Sequence, residues 1–448
     1  MRALIFTAFV LGLLPLSFGR PYFAVLIYFW FSLMNPHRLM YANHLPYAAI
    51  IAVTSLLAWV LSREPKRLPL DRVTILLIAW LCWTCVTTAF ALNPDGVLGA
   101  DEKLIYFTKV VGFSLLAFGM ISSRKRVDAL ICVLVLSVGF YGLKGGLWAI
   151  LTGGHQRVFG PEGSMIGDNN DLGCALLMTL PLMVYLRSVY VHTYTRFGLL
   201  LMIVTTATAI LFTYSRAAFV AMLGMCLVAG WKSRHRLKFL FGAAVAAALF
   251  VHFAPPAWFA RMDTIETYQK DASAEDRLHM WQVALAVVKA RPILGGGFND
   301  GFDPAAVNPY AAADGISGIS PSSRVRAPHS IYFEALGEQG IPGFIIFLSL
   351  LSCVWFNGRY LIRRARNDPR LKWAGELGRA LQFSLAGFCI AGAFATLATY
   401  DGLYVLIIVS ASARRMVMRT SEQQLAVSEL GAYEPKNKSH APSDVTLV

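Results

Sequence analysis

One histidine and three arginines have the surroundings to do chemistry. His329 stands in PHSIYFEALGEQGIPGF (328–344), between a proline and a short amphipathic run, directly ahead of a long apolar segment. Proline suits the first position of a helix, so a helix is expected from Pro328 through Leu336, closed by Gly337 and Gly340. At a helix N-terminus the dipole disfavours imidazolium, which keeps the ring neutral near pH 7 and able to take a proton. Taken alone, His329 reads more simply as a cap or wetted side chain of an interfacial helix.

The arginines add anion chemistry. Arg216, in TYSR (213–216), divides an apolar run over 197–231. As one helix that run would be roughly 50 Å long, more than a bilayer core, so it must fold as a hairpin with Arg216 at the turn. A guanidinium there can fork onto a phosphate, or simply snorkel to interfacial water. Arg277 is expected in the first turn of a helix that Ser273 caps and Glu275 and Asp276 favour, where a cation works against the dipole. Arg157 lies in HQRVFGPEG, followed by Asp168, Asn169 and Asn170 at the mouth of the next apolar run, where they can cap a helix or line a site. Lys144, in GLKGG, lies deeper and can snorkel outward.

These residues must be held by a membrane scaffold. The chain has 448 residues, 56% hydrophobic and 15% charged, against about a quarter charged in soluble domains. Apolar segments of near-spanning length recur at 45–62, 73–92, 104–121, 127–151, 172–190, 197–214, 217–231, 237–253, 341–358, 381–398 and 401–413. The first 34 residues are interrupted by Pro15, Gly19, Arg20 and Pro21, giving one broken span or two short ones. The expected fold is an all-α integral membrane protein with about 12 transmembrane helices and one long periplasmic loop containing short helices. The expected division is an N-terminal bundle over 1–253, the loop over 254–328, amphipathic and transmembrane helices over 329–418, and a disordered cytoplasmic tail over 419–448.

Short basic loops mark the cytoplasmic side: SREPKR (62–67), SSRKR (122–126), WKSRHRLK (231–238), GRYLIRRARNDPRLK (358–372) and ARRMVMR (413–419). The candidate residues alternate onto the opposite face. This topology, with attraction to anionic membrane lipids, accounts for most of the net charge of +14. Scattered over separate loops, the basic residues make no nucleic-acid surface. All 7 cysteines fall in apolar segments, and Cys82 and Cys85, though spaced C-x-x-C, read as packing residues. Gly295 to Gly297 lack the Lys-Ser/Thr of a phosphate-binding loop, residues 299–326 read as a mobile lid or crossing loop, and no metal-binding motif is present.

The order of TYSRAAF (213–219), R-x-x-x-W at Arg277 to Trp281, PILGGGF (292–298) and PHSIYFEALGEQGIPGF resembles the O-antigen ligase and polymerase superfamily. GLKGGLWAILTGGHQRVFGPEGSMIGDNN (142–170) and NPHRLMY (35–41) look most like its O-glycosylation ligase branch. The resemblance implies a multi-pass enzyme of the bacterial inner membrane that takes a glycan from undecaprenyl diphosphate at the periplasmic face. It implies transfer to the lipid A core by an inverting displacement, with His329 as general base and Arg216 and Arg277 on the diphosphate, and with neither nucleotide nor metal. Arg157 and Asn170 are further candidates for substrate binding. A polymerase or a protein O-glycosylation ligase of the same superfamily is an alternative, and a lipid or polysaccharide transporter is one from another class.

Overall fold

The computed structural model describes residues 2–40, 45–64, 66, 68–93, 99–232, 235–263, 272–299, 304–316 and 327–432. Among these residues the chain is all helical. Among the described residues eight helices are long and apolar enough to cross a membrane, Arg2–Gly19 being counted as one across its internal turn, and Tyr22–Met34 and Tyr47–Leu61 are shorter apolar helices. The interruptions in the first 34 residues act as their chemistry requires, dividing them into Arg2–Leu13, Leu16–Gly19 and Tyr22–Met34.

Side-chain caps fix several helix starts. Asp71 accepts from the backbone of Val73 and Thr74, Ser123 from Arg126, and Asp168 from Asn170. The run over 197–231 does fold as a hairpin, Thr193–Phe212 followed by Arg216–Lys232. Its tight turn places Tyr214 in the left-handed region, with φ 58°.

The connections sort onto two ends of the bundle. At one end the backbone N–H of Val158 donates to Phe212 O at 2.9 Å, Asn169 Nδ2 to Thr213 O at 2.7 Å, and the Thr396 N–H to Asp171 Oδ1 at 3.0 Å. At the other, Arg126 forks onto Glu64 and Arg415 pairs with Asp71. All the candidate residues except Lys144 belong to the first end.

After His329, Gly340 ends the first helix as expected, with non-helical φ 66° and ψ −173°, whereas Gly337 stays helical; a second helix follows directly to Asn367, so the two form one kinked element over Ile331–Asn367. A break leaves backbone groups unpaired, which is costly at membrane depth. Here the segment Pro292–Gly297 supplies partners. Gly296 N–H donates to Gly337 O at 2.8 Å, Gly297 N–H to Glu338 O at 2.9 Å, and Ile341 N–H to Pro292 O at 2.8 Å. Trp83 Nε1 donates to Gln339 O at 2.8 Å. The triple glycine is therefore a backbone strap across the kink.

A Cβ on Gly340 would stand 2.2 Å from Ile293 O, at a backbone angle that L side chains avoid. Gly340→Ala is expected to destabilise the protein by about 2–4 kcal/mol, combining strain and overpacking. Thermal unfolding in detergent measures it. Gly112→Ala, where no atom lies within 4 Å of the added carbon, is the control that should not shift.

Three smaller expectations also change. The 299–326 segment contains a helix, Pro304–Ala313, because Val307 and Ala311 pack on Val283 and Val287 of Ala272–Ala290; residues 300–303 and 317–326 lie outside the described residues. The last helix runs Asp401–Ala432, past the tail boundary at 419, and residues 433–448 lie outside the described ones. Cys82 and Cys85 are exposed on the bundle's outer surface rather than packed inside it.

Candidate active site at one end of the bundle

The hairpin turn is fixed from several sides. Tyr214 OH donates to Gly154 O at 2.8 Å, Ser215 Oγ accepts from Ala218 N at 3.3 Å, and Trp258 Nε1 donates to Leu211 O at 3.0 Å. Arg216, as the first residue of its helix, is thereby held at the rim of a cavity of about 420 Å³. Arg261 of the short helix Pro256–Asp263 and Arg277 of Ala272–Ala290 line the same cavity, together with Asn170. The rest of its wall is largely apolar: Val220, Leu278, Trp281, Ile390 and Phe394. Among the described residues that line it, three guanidinium groups and no carboxylate face one volume, a setting for an anion attached to an apolar chain.

Arg277 lies two residues further into its helix than a cap at Ser273 would put it, in the second turn, since the helix runs from Ala272. Opposition to the dipole therefore does not explain it; its place in the cavity does. Arg157 is not brought into the cavity. It is exposed, its guanidinium 5.7 Å from the centre of the Tyr214 ring, so it braces the hairpin turn from outside. Lys144 is exposed within Arg124–Leu151 and takes no part.

His329 stands beside the arginine cavity. Trp281, one of the cavity's walls, donates from Nε1 to Pro328 O at 2.8 Å and stacks on Phe333 with ring centres 4.8 Å apart. The histidine's Nδ1 is 3.5 Å from Thr396 Oγ1. It precedes the helix rather than opening it: Ser330 is the N-cap, and His329 has φ 44°. The helix dipole is thus not what keeps the ring neutral. Burial lowers its pKa from 6.5, the charge of Arg277 lowers it further, and Asp168 and Glu334 pull the other way.

The residues behind His329 carry a charged cluster that motif reading did not anticipate. Lys103 Nζ is 3.0 Å from Glu334 Oε1 and 2.7 Å from Glu338 Oε1. Glu334 Oε2 accepts from Ala398 N at 3.0 Å, and Glu338 Oε1 from Asn299 N at 3.0 Å. Four segments meet there: the start of Ala100–Met120, the kinked helix, the end of the strap and the turn 393–400. The available signal was the spacing of Glu334 and Glu338 at i, i+4, a like-charge pair that needs a cation beside it. Arg261, the other residue missed, is a single cation in WFARMD (258–263), next to the end of an apolar run.

No curated protein matches the chain. Residues 1–191 match a family of unknown function (DUF5935), and residues 198–348 match the O-antigen ligase family. That second stretch supplies the cavity's three arginines and the histidine beside it, so the part of the chain that carries the candidate site is similar to the O-antigen ligase family.

Proposed function

We propose that the protein is a glycosyltransferase that moves a glycan from undecaprenyl diphosphate to an acceptor hydroxyl at the periplasmic face of the bacterial inner membrane, the lipid A core being the preferred acceptor. The observation that carries this reading is the cavity that joins Arg216, Arg261 and Arg277 to an apolar wall with His329 alongside. The arginines bind the diphosphate and stabilise the charge that grows on it as it leaves. The apolar wall takes the first part of the lipid. The acceptor oxygen attacks the anomeric carbon, its proton passes to His329, and the bond from that carbon to the phosphate oxygen breaks with inversion.

The general base must be neutral, so turnover is retained above the histidine's folded pKa and lost as pH falls through it. Because that pKa is lowered, the acid limb of kcat/KM should lie below pH 6.5. Arg277→Gln removes a charge that lowers it, and the limb should move upward whatever happens to the plateau. A limb that stays in place would count against His329 as the titrating group.

The deciding experiment is reconstitution of purified protein with undecaprenyl-diphosphate glycan and candidate acceptors, without nucleotide and with chelator present. Transfer to lipid A core supports the ligase reading, and chain growth points to polymerisation. Lipid flux across a vesicle without either product would sink the enzyme reading.

A further inference from the structure

A second cavity, of about 320 Å³, lies at the same end of the bundle. The turn 393–400 relates the two cavities. Phe394 lines the first, Thr399 and Tyr400 line the second, and Thr396 between them touches His329. The linings differ in charge. The first has three arginines and, among the described residues, no carboxylate, whereas the second carries both signs: Arg38 with Glu102 and Asp401, and Lys103, whose charge Glu334 and Glu338 take up. A diphosphate belongs in the first. A neutral ligand suits the second.

That ligand must also be rich in hydroxyls. Thr399 and Tyr400 are only 1% and 3% exposed, yet Thr399 Oγ1 and Tyr400 OH have no hydrogen-bond partner among the described residues. Buried hydroxyls are seldom left so, because each forfeits its hydration without return. Here two on consecutive residues border one cavity. Around them, Tyr106 donates its hydroxyl to Asp401, and Arg38 Nη1 is held by Glu162 O at 3.1 Å. Fixed donors and acceptors of both kinds, in a cavity at the small end of the ligand range, match a sugar ring better than an extended peptide.

We propose that the second cavity binds the acceptor as a sugar ring and presents one of its hydroxyls to His329 across the turn 393–400. The proposal rests on the transferase reading above and narrows it to a carbohydrate acceptor. In the transfer, the new bond joins the acceptor oxygen to the anomeric carbon and the old bond to phosphate breaks. The acceptor's proton goes to His329, and the lipid diphosphate leaves toward the arginines with the bonding electrons.

The test measures binding before turnover. The full-length protein in detergent, without donor, is titrated with lipid A core oligosaccharide freed of its acyl chains, and separately with a Ser/Thr-rich peptide. The variants are Tyr400→Phe alone and Thr399→Val with Tyr400→Phe. Neither removes a hydrogen bond within the protein, so unfolding temperature should hold, while oligosaccharide affinity should fall about tenfold in the double variant. Donor affinity should not change.

Equal oligosaccharide binding by wild type and double variant, or none by wild type, overturns the proposal. So does a peptide that binds wild type and loses affinity in the double variant. If the oligosaccharide binds and weakens as expected but is never glycosylated on reconstitution, the sugar site stands and the transfer reading fails.

Discussion

His329→Ala is expected to abolish glycan transfer while leaving donor binding measurable. A positioned general base contributes about 10²–10⁴ in rate, and His329 is the imidazole that stands against the arginine cavity. Backbone geometry calls for a second substitution beside alanine. At φ 44° the residue is in the left-handed region, which asparagine tolerates better than most side chains. His329→Asn therefore removes the base with less strain, and both variants should fall alike. Arg216→Ala and Arg277→Ala should behave differently, weakening donor binding together with turnover, because both line the cavity proposed to hold the diphosphate before and after the bond breaks. Single-turnover kinetics with donor titration separates the two patterns. Wild-type turnover by a correctly folded His329→Asn protein would remove His329 from the mechanism.

The second large effect concerns stability. Lys103→Met leaves Glu334 and Glu338, whose side chains are 1% and 5% exposed, without the ammonium that both contact. Breaking a buried ion pair from one side costs about 3–5 kcal/mol, since the remaining charge stays buried without compensation. A marked drop in unfolding temperature in detergent is the expected result. Adding Glu334→Gln and Glu338→Gln to Lys103→Met should restore much of it, because the amides keep the shape and lose the charge. An unshifted melting curve for Lys103→Met alone would show that the cluster is not under this electrostatic load.

Most of the long apolar helices were legible in the sequence because membrane insertion imposes a single coarse rule, a run of apolar side chains of fixed length. Arg216 was legible for the same reason, since a run too long for one crossing has to turn. The stop at Gly340 was legible as well, but the strap across it was not, because the segment that lends the hydrogen bonds, Pro292–Gly297, lies more than forty residues earlier in the chain. The arginine cavity was half legible. Arg216 and Arg277 stood out by position, whereas nothing in its local sequence set Arg261 apart, and only the structure places it beside them. Arg157 had equal standing by local sequence but was turned onto Tyr214. Such choices are made by packing between distant segments, and local patterns carry little trace of them.

The Lys103 cluster has a consequence for how the protein is made. Lys103 and Glu334 are 231 residues apart. At roughly 5–20 residues per second the ribosome delivers the lysine on the order of ten to fifty seconds before its first glutamate exists. During that interval the nascent chain holds an ammonium near the head of an apolar helix, and the long stem can keep it in interfacial water. The glutamates arrive just after the histidine, on the helix that it precedes. Neutralising the waiting lysine and completing the proposed site thus fall in the same short interval of synthesis.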